Sequence, residues 1–122
     1  MPDHDDLLDP FFAAIERGDI EAVAPMYADD VAVWHNVTNH ALDKAQSLDL
    51  LRYWTEHVHD VRYEVLERHP FDGGVVQRHI VRGDASGTPV EANVCIVFHV
   101  ADRRITAIFE YLDAAAVSAV FA

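Results

Sequence analysis

The sequence predicts an α+β fold, with helices packed on one face of an antiparallel sheet. Two observations carry this prediction: helical periodicity collects in the first half, and hairpin signals follow one another after Asp60. Leu7, Leu8, Phe11, Phe12 and Ile15 recur at helical spacing, and Gly18 suits the left-handed residue that ends a helix. Asp19 can cap a second helix with Ile20, Val23, Ala24 and Tyr27 on one face. Val31 to Val37 is β-rich and reads as the first strand. Ser47 can cap a third helix, with Leu48, Leu51, Trp54 and Val58 inward. Strands follow at Val61 to Glu67, Val75 to Val81, Val90 to Val100 and Ile105 to Leu112. Asp72-Gly73-Gly74, Gly83 to Gly87 and Asp102-Arg103 supply the turns between them. Asp113 can cap a closing helix through Val120. The predicted order is α-α-β-α-β-β-β-β, in one domain over residues 1–122, without repeat or linker.

Composition narrows the function. At 122 residues and 51% hydrophobic, the chain can bury a core and is not a disordered segment. The formal charge of −12 repels phosphate backbones and anionic lipid, so neither nucleic acid nor membrane is an expected partner. No apolar run approaches the roughly 20 residues that span a bilayer. The acidic start, Met1 to Asp6, lacks the order of a secretion signal. Cys95 is the single cysteine, which fits a reducing cytoplasm.

Strand parity then groups the polar residues, because side chains alternate faces along a strand. Val31, Val33, His35 and Val37 share one face of the first strand. Val75, Gln77, His79 and Val81 share a face, and Arg78 and Arg82 take the opposite one. Arginines favour solvent, so the His79 parity is expected inside. Val94, Ile96 and Phe98 share a parity, as do Ile108, Glu110 and Leu112.

The order of elements, with Gly18-Asp19, Tyr27-Ala28-Asp29-Asp30 and Trp34-His35, resembles the nuclear transport factor 2-like superfamily. Arg104 to Asp113 resembles the ending of its SnoaL-like members. The superfamily includes ketosteroid isomerases and SnoaL-like polyketide cyclases. The resemblance implies a cystatin-like α+β cone, in which a curved antiparallel sheet and helices enclose an apolar pocket. It places His35 at the isomerase's general-base position, which that family fills with aspartate. Phe11 and Ile96 fall where that family has its oxyanion donors, so the isomerase's own oxyanion hole is not reproduced. Glu110 falls near the pocket acid of the SnoaL-like members, and His79 resembles a histidine on their middle strand.

The resemblance puts the His35, His79, Ile96 and Glu110 parities on the concave face. Phe11, Ile96, Phe98, Ile108 and Gln77 are expected around the ligand, with Tyr27 and Trp54 adding to the walls or staying in the core. Histidine titrates near neutral pH, and a carboxylate beside it can share the acid and base roles. The expected function is cofactor-free isomerisation, cyclisation or dehydration of a small apolar carbonyl compound. His35, Glu110 and His79 would carry the catalysis. The alternative is a non-catalytic ligand-binding or assembly domain, with those side chains satisfied in the core. For Glu110 that reading includes a salt bridge to Arg104 or another strand arginine.

Metal binding is a weaker reading. His57-Val58-His59-Asp60 ends a helix, and residues two apart on a helix do not face one another. His35, His79 and Glu110 make a two-histidine, one-carboxylate set without a local motif. The epoxide-hydrolase branch needs an aspartate–arginine–aspartate set that the sequence does not place in the pocket. The scytalone-dehydratase branch, which uses histidines with an acid and tyrosines, keeps dehydration open. Cys95 and Val97 lie on the outer parity and would be exposed in a monomer, so a homodimer is expected.

Overall fold

The structure is a computed structural model that describes residues 3–121. The first helix, α1 (Asp5–Glu16), buries Leu8, Phe11, Phe12 and Ile15, one stripe of its surface. Gly18 ends it at φ +73, with the Asp19 amide returning to the Ala14 carbonyl at 2.9 Å. The segment expected as a second helix forms two 3-10 turns instead, Ile20–Ala22 and Ala24–Met26. Pro25 has no N–H to continue an α-helix, and it sits in the first positions of the second turn, where that donor is not needed. Asp19 does cap the first of these turns, accepting from the Ala22 amide.

Tyr27 therefore opens a strand, β1 (Tyr27–His35), rather than closing a helix. A four-residue turn, Asn36 to Asn39, takes in Val37, and β2 (His40–Leu42) pairs back on β1. The next helix, α2 (Lys44–His57), is capped by Asp43 and not by Ser47. Asp43 accepts from the Gln46 amide at 2.9 Å, and Gln46 Oε1 accepts from the Asp43 amide at 3.0 Å. That reciprocal pair satisfies two backbone donors. Ser47 sits within the helix and turns inward.

Four long strands complete the sheet: β3 (His59–Phe71), β4 (Gly74–Ala85), β5 (Thr88–Ala101) and β6 (Arg104–Leu112). At the β3–β4 turn, a Cβ on Gly74 would collide with the Phe98 carbonyl, so only glycine fits there. Asp102 and Arg103 both take positive φ, as a tight hairpin turn needs. The closing segment is a 3-10 turn, Ala114–Val117, capped by Asp113 through the Ala115 amide.

The sheet has the order β2-β1-β6-β5-β4-β3. Every pairing is antiparallel except β1 with β6, which is parallel. The sheet is curved and does not close. The helices lie on its concave face and share one hydrophobic cluster with it. This is the expected α+β cone. No helix among the described residues is long and apolar enough to cross a membrane.

Register positions the site. Cα pairing puts His40, His35, Glu110, Ile96, Gln77 and Arg68 side by side across the sheet. His79 stands one inward step along β4, opposite Val94. Arg68 reaches this row because β3 carries an extra residue between Val65 and Glu67. Such a bulge exchanges the faces of the residues beyond it.

Candidate active site

A cavity of about 440 Å³ opens between the concave face, α1 and α2. That volume suits a small organic molecule. Its wall is apolar: Phe11, Phe12 and Ile15 come from α1, and Leu51 and Trp54 from α2. Val33, Ile96 and Ile108 come from the sheet.

Ionisable groups interrupt this wall in two places. His35 Nε2 lies 3.2 Å from Glu110 Oε1, across the parallel β1–β6 pairing. Their side chains keep 18% and 24% of their surface, so a ligand can touch both. Glu110 pairs with His35, and not with Arg104 or a neighbouring arginine. The second place is His79, which is buried and receives a hydrogen bond from Gln77 at Nδ1, 2.8 Å away. Burial pushes its pKa down to about 4, helped by Arg68 and opposed by Glu110. His79 is therefore neutral at neutral pH.

Two phenols complete the polar lining. Tyr27 Oη bonds Ser47 Oγ at 3.0 Å, the contact for which Ser47 turns inward. Burial pushes the Tyr27 pKa up to about 12, with Ser47 opposing and Glu110 adding to the shift. Tyr63 lies edge-on to His79 with ring centres 5.3 Å apart. Burial, then the charge of Glu110, drives its pKa far above the usual phenol range. Both phenols stay protonated and can donate. Trp54 Nε1 is a buried donor without a partner, the one such side-chain atom among the described residues.

Of the residues singled out in the sequence, the cavity wall holds His35, Glu110, His79, Tyr27, Trp54, Phe11, Ile96 and Ile108. Gln77 and Phe98 do not line it. Both are fully buried: Gln77 spends its amide on Arg68 and His79, and Phe98 packs behind Phe11 and Phe12. Sequence reading missed Tyr63, although the inward parity of Val61 points to it. It also missed Arg68 and His40, the first because of the β3 bulge and the second because β2 is three residues long. No cluster of three or more potential metal ligands forms among the described residues.

Comparison with known proteins decides the family. The family model described as a SnoaL-like domain matches residues 8–108. The chain belongs to the SnoaL-like domain family. Solved structures share this SnoaL-like fold at low identity. PrhC from Penicillium brasilianum NBRC 6234 superposes with a TM-score of 0.86 at 16% identity, over 97% of this chain and 85% of that one. IdmH from Streptomyces antibioticus, provisionally assigned as a polyketide cyclase, gives 0.82 at 18% identity, over 98% and 99%. An LEH-like epoxide hydrolase of M. tuberculosis gives 0.80 at 21% identity, over 98% and 90%. At these identities the likeness shows the fold alone. Comparison with curated proteins gave no match. The cavity of this SnoaL-like chain has neither aspartate nor arginine in its wall among the described residues.

Proposed function

We propose that this SnoaL-like protein is a cofactor-free enzyme that moves a proton next to a carbonyl in a small, largely apolar substrate. The observation that carries this reading is the His35–Glu110 pair, 3.2 Å apart at the wall of an otherwise apolar cavity. Within it, His35 takes the proton and Glu110 steadies the imidazolium that results. Returning the proton to another carbon gives isomerisation. Passing it to a leaving hydroxyl gives dehydration, and attack of the enolate on a second carbonyl gives cyclisation. A wall without aspartate or arginine argues against epoxide opening by an aspartate–arginine–aspartate set.

Exchange of α-protons for deuterium in a bicyclic ketone such as 2-tetralone tests the assignment by NMR. His35→Ala and Glu110→Ala are expected to slow enzyme-dependent exchange by about 10²-fold or more. Exchange unaffected by both substitutions would sink the reading.

A specific observation favours the second reading, a non-catalytic ligand-binding or assembly domain. Phe11 and Ile96 carry no hydrogen-bond donor at the family's oxyanion positions. Saturable ketone binding without exchange, in the native chain, decides for it.

The reading includes a homodimer formed through the convex face, where Trp34, Phe109 and Tyr111 cluster with ring centres 5.2–6.2 Å apart. It also places the protein in a reducing cytoplasm, which its lone cysteine fits, without nucleic-acid or membrane partners.

A further inference from the structure

Arg68, Gln77 and His79 form a hydrogen-bond chain whose direction is fixed by chemistry. A guanidinium only donates. Arg68 Nε lies 2.6 Å from Gln77 Oε1, so the amide oxygen accepts there. The amide nitrogen of Gln77 then faces His79 Nδ1 at 2.8 Å. An amide nitrogen only donates, so Nδ1 accepts. A neutral imidazole with an accepting Nδ1 carries its proton on Nε2. Asp5 and Asp9 of α1 hold the head of the chain, accepting from Arg68 Nη1 at 2.8 and 2.7 Å. Flipping the Gln77 amide would set donor against donor at Arg68, so the order cannot reverse.

The Nε2 edge of His79 is the one not bonded to Gln77. His79 lines the cavity, and Gln77, on its Nδ1 side, does not. The only side-chain nitrogen or oxygen that is both sealed and unpartnered among the described residues is Trp54 Nε1. His79 Nε2, which has no protein partner among the described residues, therefore keeps a sliver of accessible surface, although His79 as a whole is only 1% exposed. We infer that Arg68 and Gln77 are positioning residues that fix His79 as a hydrogen-bond donor, so the cavity takes an acceptor oxygen, carbonyl or enolate, on an apolar body. This deepens the proposed function and rests on it for the reaction. The donor that Phe11 and Ile96 do not supply comes from β4, across the cavity wall from the His35–Glu110 pair. Burial keeps His79 uncharged, so it stabilises a developing oxyanion by donating from Nε2 while His35 handles the proton.

The test reads the His79 ring directly, by long-range ¹⁵N–¹H correlation on the labelled full chain at pH 9. In the native protein Nδ1 is expected to be the bare, pyridine-type nitrogen and Nε2 the protonated one. Gln77→Glu offers an acceptor in place of the amide donor and is expected to put a proton on Nδ1. A protonated Nδ1 in the native chain overturns the inference, and so does a bare Nδ1 in Gln77→Glu. If Gln77→Glu does not fold, the native spectrum alone decides. For the ligand class the probe is 2-acetylnaphthalene. It is expected to shift His79 Nε2 saturably and to bind Gln77→Glu about tenfold more weakly, as befits one lost hydrogen bond. No saturable shift at Nε2 overturns the ligand class. None of these readouts needs turnover, so a failed base assignment at His35 and a failed donor assignment at His79 are seen separately.

Discussion

His79 couples the site to the stability of the fold. Its folded pKa, about 4, lies below the value of about 6.5 that an unfolded histidine shows. Between those two values the unfolded chain binds a proton that the folded chain refuses. Folding stability therefore falls as pH drops from about 6.5 to about 4, and this contribution levels off below. The full effect is on the order of 3 kcal/mol. Carboxylates also lose stability in acid, so the comparison must be with a variant that cannot titrate at position 79. Urea unfolding at pH 7.5 and pH 4.5 should show native protein losing roughly 2–3 kcal/mol more than His79→Gln. Equal losses would mean that His79 accepts its proton in the folded state. At this scale the sequence is informative where strand parity and the family resemblance agree. Period two groups the residues of each strand by face, the arginines turn the His79 parity inward and the family resemblance does so for His35 and Glu110, and the structure puts all three at one cavity. Arg68 was hidden because one extra residue in β3 reverses the parity that its neighbours suggest. Parity also cannot separate a residue that lines a cavity from one packed behind the wall, and Gln77 and Phe98, both fully buried, are of the second kind.

At the scale of elements, the start of α2 shows how a local signal can mislead. Ser47 and Asp43 are both capping residues by type. Only Asp43 has a glutamine three residues on, and the structure uses that box. Asp43→Ala should lower stability by about 1 kcal/mol, and Asp43→Asn should retain most of it, both read from urea midpoints. A cost confined to Ser47→Ala, with none at Asp43, would return the cap to Ser47. Other differences have the same local character. Pro25 splits the expected second helix into 3-10 turns, a break readable from its missing N–H. β2 has three residues and no period to detect. The parallel β1–β6 pairing is not a local property at all. It follows from where the β3–β6 meander places its last strand, and it alone brings His35 opposite Glu110.

At the scale of the whole molecule, the two faces of the sheet divide the work. The concave face holds the cavity. The convex face is itself divided. Toward β3 and β4 it carries ion pairs, Arg78 with Glu67 and Arg82 with Glu64 and Glu91. Toward β1 and β6 it carries Trp34, Phe109 and Tyr111, with Phe109 38% and Tyr111 46% exposed. Aromatic surface of this kind is what the core of a protein–protein interface uses, and its charged flank supplies a polar rim. A dimer through it must also bring together two chains that each carry a formal charge of −12. Like charges spread over both protomers repel, and salt screens that repulsion. Sedimentation is therefore expected to show a dimer that tightens between 20 and 200 mM NaCl, opposite to an interface held by ion pairs. Phe109→Glu should give a monomer at both salt concentrations. Its side chain is on the opposite face from Ile108 and Glu110, so ketone binding in the cavity should survive. A native chain that sediments as a monomer at about 50 μM in 200 mM salt would remove the dimer. A dimer unaffected by Phe109→Glu would place the interface elsewhere.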